Sequence, residues 1–262
     1  RRFFSPPAYD TLPRRSARHE DAVSRNPGYA DWVATNAVAH KKPGYVIANV
    51  SLKPTGGVPG DATAAQMDAI ARLADRFSFG EIRVTHEQNI VLAHVRLDDL
   101  FDLWREIEGY GLGTPNFGLV SDIIACPGLD FCNLANARSI PIAQSIGERF
   151  VDLKRQHDIG RLSINISGCI NACGHHHLGN IGILGVDKKG TEAYQVTLGG
   201  RGDEGAAIGG IIGPAFSEAE IVDAVETIVE TYLDHRVDGE RFVETYAQIG
   251  EAPFKERLYG AD

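Results

Sequence analysis

The sequence predicts an α+β protein in two parts, a small module over residues 44–112 and a larger mixed α/β module over residues 113–262. Three observations carry this expectation. Periodicities follow the order strand, helix, strand, strand, helix between Tyr45 and Tyr110. Two alternating apolar runs flank Asp187-Lys188-Lys189-Gly190, as in a hairpin. With 262 residues, 43% of them apolar, the chain is long enough to bury one large core or two smaller ones.

Residues 1–43 carry Pro6, Pro7, Pro13, Pro27 and Pro43 among charged and aromatic residues, with little periodicity before Tyr29–His40. They are expected to form an extended N-terminal arm or linker packed on something larger. Tyr45–Leu52 then reads as a strand and Lys53–Asp61 as a Pro/Gly loop. Ala62–Phe77 reads as a helix with Met67, Ile70, Leu73 and Ala74 on one side. Glu81–Thr85 and Asn89–Val95 read as strands, followed by a helix near Asp98–Tyr110. This order is that of a ferredoxin-like α/β half-domain, a name for a shape that implies no cluster.

In the larger module, a helix is expected from beyond Cys132 to Gln156, started or bent by Pro141. Arg161–Ser167 reads as a strand leading to Cys169, and Ile181–Val186 with Ala193–Leu198 as the hairpin. The glycine-rich stretch Gly199–Gly213 serves either turns or the binding of a phosphate or carboxylate. Ser217 and Glu220 then have the spacing of a capping box at a helix start.

Composition excludes several classes of function. The net charge is −9, and no block of Lys or Arg falls on a predicted helix, so no nucleic-acid partner is expected. No run approaches the length needed to cross a bilayer, and the chain is expected to be soluble and cytoplasmic, with no membrane partner. It contains no P-loop and no Ser-His-Asp order. Met67 is the only methionine and the chain opens at Arg1, as expected of a piece of a longer protein.

The chemistry lies in four cysteines. Cys126 and Cys132 have five residues between them, Cys169 and Cys173 have three, and 36 residues separate the pairs. The segments Ala125-Cys126-Pro127-Gly128-Leu129-Asp130-Phe131-Cys132 and Ser167-Gly168-Cys169-Ile170-Asn171-Ala172-Cys173-Gly174 each contain glycine. Two tight clusters that use every cysteine do not resemble scattered core residues. A disulfide framework suits short secreted chains with poor cores, which this is not. Soft thiolates gathered in one domain hold zinc or an iron-sulfur cluster. The first pair is wider than zinc sites commonly use, which favours iron-sulfur and leaves a structural zinc-binding domain as an alternative. Glycines on both sides of Cys169 and Cys173 favour a turn whose N–H groups point at sulfur.

His175, His176 and His177 cannot all ligate one ion on regular backbone, because consecutive side chains diverge, so they are expected to pack or hydrogen-bond near the thiols. Arg83 and Gln88, on either side of a strand break, carry no local signal beyond solvated polar residues.

The run Ser167–Cys173 followed by Asn180-Ile181-Gly182-Ile183 resembles the signature of the sirohaem-dependent sulfite and nitrite reductases. The upstream pair fits as well, and Ile82–Asn89 is similar to the end of that family's ferredoxin-like module. The resemblance covers roughly residues 44 to 262, with Asn180 standing where the family usually has an acidic residue. It implies that Cys126, Cys132, Cys169 and Cys173 hold a 4Fe-4S cluster, with Cys173 also the axial ligand of the sirohaem iron. It also implies six-electron reduction of sulfite to sulfide or of nitrite to ammonia, with Asn171, Arg83 and Gln88 as further sirohaem contacts. A non-haem 4Fe-4S electron-transfer module is the alternative that binds no tetrapyrrole.

The family's substrates and sirohaem are anionic, yet no Lys or Arg stands between Arg161 and Lys188. The chain looks like the C-terminal half of a two-half reductase. The implied partners are the N-terminal half or a second copy, an electron donor (a ferredoxin or flavoprotein), and a small anion substrate. By that resemblance, the isolated chain is an incomplete catalyst.

Overall fold

The computed structural model describes residues 7–260, so the first six residues of the expected arm and residues 261–262 lie outside the described residues. The chain divides into two compact units. One takes the chain up to Pro54 together with Gly60–Phe117, and the other takes Thr55–Pro59 and everything from Gly118 onward. The division at Phe117–Gly118 stands against the expected one at residues 112 and 113, and residues 7–43 belong to the first unit.

The expected extended arm is instead largely helical. Helices α1 (Ala17–Arg25) and α2 (Pro27–Asn36) are followed directly by strand β1 (Ala37–Ala39). Ser16 caps α1, its Oγ accepting from the His19 N–H at 3.1 Å, and Pro27 occupies the first turn of α2, where its missing N–H costs nothing. Pro27, one of the prolines read as breakers, is therefore a helix starter. Ala22, Tyr29 and Trp32 are buried in the same core as Val46, Leu92, Leu100, Leu103 and Ile107.

The remainder of this unit follows the predicted order: β2 (Tyr45–Val50), α3 (Ala64–Phe77), β3 (Arg83–Val84), β4 (Ile90–Arg96) and α4 (Leu100–Gly109). The start of α3 is set by a capping box between Thr63 and Gln66. The strands form an antiparallel sheet in the order β1-β2-β4-β3, with Tyr45 opposite Arg96 at one end and Val50 opposite Ile90 at the other.

The second unit holds β5 (Ile124–Ala125), α5 (Ile140–Arg149), α6 (Leu153–Ile159), β6 (Ile164–Ser167), β7 (Ile181–Asp187), β8 (Glu192–Leu198) and β9 (Gly210–Ile211). Helices α7 (Glu218–His235), α8 (Phe242–Ile249) and α9 (Ala252–Tyr259) complete it. Its sheet runs β5-β6-β7-β8-β9, parallel from β5 to β7 and antiparallel from β7 to β9. The predicted hairpin is β7–β8, paired from Ile181 opposite Leu198 to Asp187 opposite Glu192. The capping box at Ser217 and Glu220 starts α7. The expected continuous helix from beyond Cys132 to Gln156 is two helices. Asn136 and Ala137 donate their N–H groups to Gly168 of the second cysteine loop, and Asp152 caps α6 by accepting from Lys154 and Arg155. The core gathers Ile142, Ile146 and Phe150 with Ile164, Ile166, Ile183, Val225, Ile228 and Phe254.

In the first unit, a buried amide pair ties the helical arm to the sheet. Asn36 Nδ2 donates to the Asn49 carbonyl at 3.0 Å and to that of Thr114 at 3.1 Å, while Asn49 Nδ2 donates back to the Asn36 carbonyl at 3.0 Å. Replacing Asn36 with Ala strands buried carbonyls and is expected to destabilise by about 1–3 kcal/mol in a denaturant titration. An unchanged midpoint would show that the arm is not integral to this unit.

Candidate functional site

The two cysteine loops are brought together by parallel strand pairing. Ala125 stands opposite Ile166, and the chain leaves both strands at the same edge, so Cys126 emerges beside Ser167-Gly168-Cys169. The Cys126 N–H donates to the Ile166 carbonyl at 3.0 Å, and the Gly168 N–H donates to Cys126 Sγ at 3.0 Å. Ser139 Oγ lies 3.4 Å from the same sulfur. A tight turn through Gly128–Asp130 follows, and Cys132 N–H closes it onto the Gly128 carbonyl at 2.9 Å. The chain then returns so that Asn136 and Ala137 both donate to the Gly168 carbonyl, at 2.8 and 3.0 Å. A methyl group on Gly168 would stand 2.6 Å from the Ala137 carbonyl oxygen and 3.0 Å from the Gly128 Cα. Only glycine lets the loops approach this closely.

The second loop is a turn, as its flanking glycines predict. Ala172 N–H donates to Cys169 and His175 N–H to Ala172, with both Ala172 and His175 in the left-handed region at φ +54°. Non-glycine residues held there store strain of about 1–2 kcal/mol each, a burden that clusters at functional sites. Strand β6 supports the loop from below. Asn165 Nδ2 donates to the Gly174 carbonyl at 3.0 Å, and Ser167 Oγ accepts from the Gly174 N–H at 3.1 Å. Sequence reasoning missed these two residues, whose polarity inside an apolar run (Ile164-Asn165-Ile166-Ser167) was the available signal.

Exposure grades the four thiols. Cys126 and Cys169 are buried, Cys132 is half-buried and Cys173 is exposed. No group of three or more His, Cys, Asp or Glu side chains stands in metal-holding geometry among the described residues. The loops are thus side by side, but the quartet is not drawn in on one centre. The residues still fit a cluster by their donor chemistry: every cysteine lies on these two loops, and Cys126 already receives the N–H···S bond that tunes such centres.

The two loops expose apolar side chains beside Asp130, Asn133, Asn136 and Asn171. Phe131 is 79% exposed, Leu134 72% and Ile170 78%. Arg138, the cation following the first loop, is engaged by Glu192 at 3.1 Å and Glu218 at 3.1 Å. The loops therefore offer an anion little positive charge of their own.

The three histidines take separate environments. His176 is 3% exposed and His175 and His177 are exposed, with the rings of His176 and His177 stacked at 3.9 Å between centroids. His176 Nδ1 is buried without a hydrogen-bond partner. Burial, reinforced by His177, pushes His176 down from the ordinary histidine value to about 4. Asn180 serves as a structural link, its Oδ1 accepting from Ser163 N–H at 3.0 Å and its Nδ2 donating to the Gly200 carbonyl at 2.9 Å. A carboxylate could not make the second bond. Asn171 is exposed and makes no hydrogen bond among the described residues. Arg83 and Gln88 belong to the first unit. Arg83 is exposed on β3 and paired with Glu81, while Gln88 sits in the β3–β4 turn at φ +59°.

The profile of the nitrite and sulphite reductase 4Fe-4S domain matches residues 119–261, and that of the nitrite/sulfite reductase ferredoxin-like half domain matches residues 50–110. The chain belongs to the nitrite and sulphite reductase family. These are oxidoreductases whose cofactors are a 4Fe-4S cluster and sirohaem. The chain is 28% identical over 197 residues to a sulfite reductase [ferredoxin] 2 of Mycolicibacterium paratuberculosis, covering 71% of this chain and 35% of that one. It is 33% identical over 150 residues to a ferredoxin–nitrite reductase of Synechococcus elongatus, covering 54% and 28%. The solved structure of the Mycobacterium tuberculosis NirA protein superposes with a TM-score of 0.67 at 25% identity, over 84% of this chain and 41% of that one. The chain thus spans about a third of the length of the curated relatives it matches. Among the described residues no helix is long and apolar enough to cross a membrane.

Two outcomes test the site's construction. A methyl group at Gly174 would stand 1.9 Å from the Ile166 carbonyl oxygen, whereas one at Gly202 meets nothing within 4 Å. Gly174→Ala is expected to destabilise by at least about 2 kcal/mol, and Gly202→Ala by little, in parallel denaturant titrations. His176 binds a proton more readily unfolded than folded, so its contribution is complete above pH 6.5 and is lost as pH falls towards 4. Between pH 7 and pH 5 the wild type should lose on the order of 2 kcal/mol more unfolding free energy than His176→Gln. Equal losses would show that His176 is not held neutral by burial.

Proposed function

We propose that this chain is the cofactor-carrying C-terminal half of a sulfite or nitrite reductase. The single observation that supports this most strongly is the placement of Cys126 and Cys169 at the same edge of adjacent parallel strands, their loops in contact at Gly128 and Gly168. In this reading the two loops close so that Cys126, Cys132, Cys169 and Cys173 hold a 4Fe-4S cluster. Cys173, the exposed member, is also the sirohaem ligand. When bound, the coupled cofactors supply electrons one at a time to a small anion, as sulfite-to-sulfide or nitrite-to-ammonia chemistry requires.

The chain's own residues supply position and environment. The Gly168 N–H stabilises negative charge on Cys126 Sγ, and Ser139 Oγ lies within reach of the same atom. Phe131, Leu134 and Ile170 offer an apolar collar against which a macrocycle excludes water. Asn171, exposed two residues before Cys173, is free to meet that macrocycle.

Arg138 is already paired, so the cations that bind substrate come from an N-terminal half or from a second copy. The proposed electron donor is a ferredoxin, as in the names of the two curated relatives, and the proposed location is the cytoplasm.

The test is reconstitution of the purified chain with iron, sulfide and sirohaem, followed by absorption. Wild type should gain both chromophores, and Cys173→Ala should lose both. Retention of the tetrapyrrole spectrum in the variant would remove Cys173 as its anchor. Zinc without acid-labile sulfide would replace the cluster reading altogether. With reduced methyl viologen and sulfite or nitrite, the reconstituted monomer should show negligible turnover. Robust turnover would mean that the chain is a complete catalyst.

A further inference from the structure

The first unit contains a cavity of about 380 Å³ between the segment preceding α1 and the turn that joins β1 to β2. Among the described residues its charged lining is Arg14, Lys41 and Lys42, with no carboxylate. This is unusual in a chain with 35 acidic and 26 basic residues. Several other cations of the same unit are paired with carboxylates: Arg15 with Glu20, Arg18 with Asp102 and Arg96 with Asp10. Among the described residues, no carboxylate pairs with Arg14, Lys41 or Lys42.

The three charges are presented by a shaped backbone. The Lys42 N–H donates to His40 Nδ1 at 2.8 Å, and the Lys42 carbonyl accepts from the Tyr45 N–H at 3.3 Å, which closes the turn. Lys42 Nζ stands 5.7 Å from the centre of the Tyr9 ring, a cation–π contact. Leu12 and Pro13 press on Gly44, where a methyl group would meet Leu12 Cβ at 2.4 Å, so the backbone next to Arg14 is packed against the turn. Burial and the neighbouring His94 hold His40 below the ordinary histidine value, and the ring acts as a neutral brace. Tyr45, Val46 and Leu97 complete the walls.

Like charges gathered without a counter-charge repel, and the arrangement is stabilised when an anion of matching valence enters. We propose that this cavity binds a small polyvalent oxyanion of the phosphate class. The site is distinct from the β3–β4 turn that carries Gln88. That turn adjoins the Val50–Ile90 end of the sheet, whereas the cavity lies at the Tyr45–Arg96 end, six residues of β2 away. It therefore adds a second anion site to a protein whose proposed substrate is itself an anion.

Calorimetric titration of the full chain with inorganic pyrophosphate, at constant ionic strength set with chloride, tests the proposal. Wild type is expected to bind with a dissociation constant on the order of 1 mM or tighter. The double variant Lys41→Ala/Lys42→Ala should bind at least about tenfold more weakly, as loss of charge-assisted hydrogen bonds requires. Lys188→Ala/Lys189→Ala, which removes two neighbouring lysines from the β7–β8 turn, should bind as wild type does, and all three proteins should melt alike. No binding by wild type, equal binding by the Lys41/Lys42 variant, or equal weakening by both double variants would overturn it.

Discussion

The parallel pairing of β5 with β6 is the constraint on which the rest of the second unit depends. It delivers two sequence-distant loops to one edge and fixes their register to within a residue. Glycines at 128 and 168 then let the backbones touch, and the Gly168 carbonyl takes two N–H groups from the returning chain. Ligands in open α/β sheets collect beyond the carboxyl ends of the strands for the same geometric reason. Here that edge carries sulfur, an apolar collar and little free charge.

Much of this architecture is legible in the chain because local signals and tertiary demands agree. The β7–β8 hairpin alternates cleanly, α7 announces its start with a capping box, and the glycines around Cys169 and Cys173 specify a turn. Agreement across levels is what makes such elements readable. The failures have equally physical causes. Pro27 looks like a break but occupies the one helical turn that tolerates it, and Tyr29 and Trp32 reveal their role only through a core formed with strands and helices far along the chain. Asn136 and Ala137 lie in the expected helix, yet their N–H groups are claimed by the Gly168 carbonyl, a partner that periodicity cannot reveal.

The site was partly legible in the same sense. The four thiols stand out by spacing alone, but their support does not. Asn165, Ser167 and Ser139 look like ordinary polar residues until the fold places them within hydrogen-bond reach of the loops. Asn180 shows the converse. It departs from the family pattern at a position usually acidic, and the structure gives it an amide's work, donating to one backbone segment while accepting from another.

The uneven shielding of the thiols has a chemical corollary for the metal-free chain. An oxidant arriving from solvent meets Cys173 first, while Cys126 is sheltered beneath its own loop. Damage would therefore begin with sulfenic acid at Cys173, the position proposed to bridge the two cofactors.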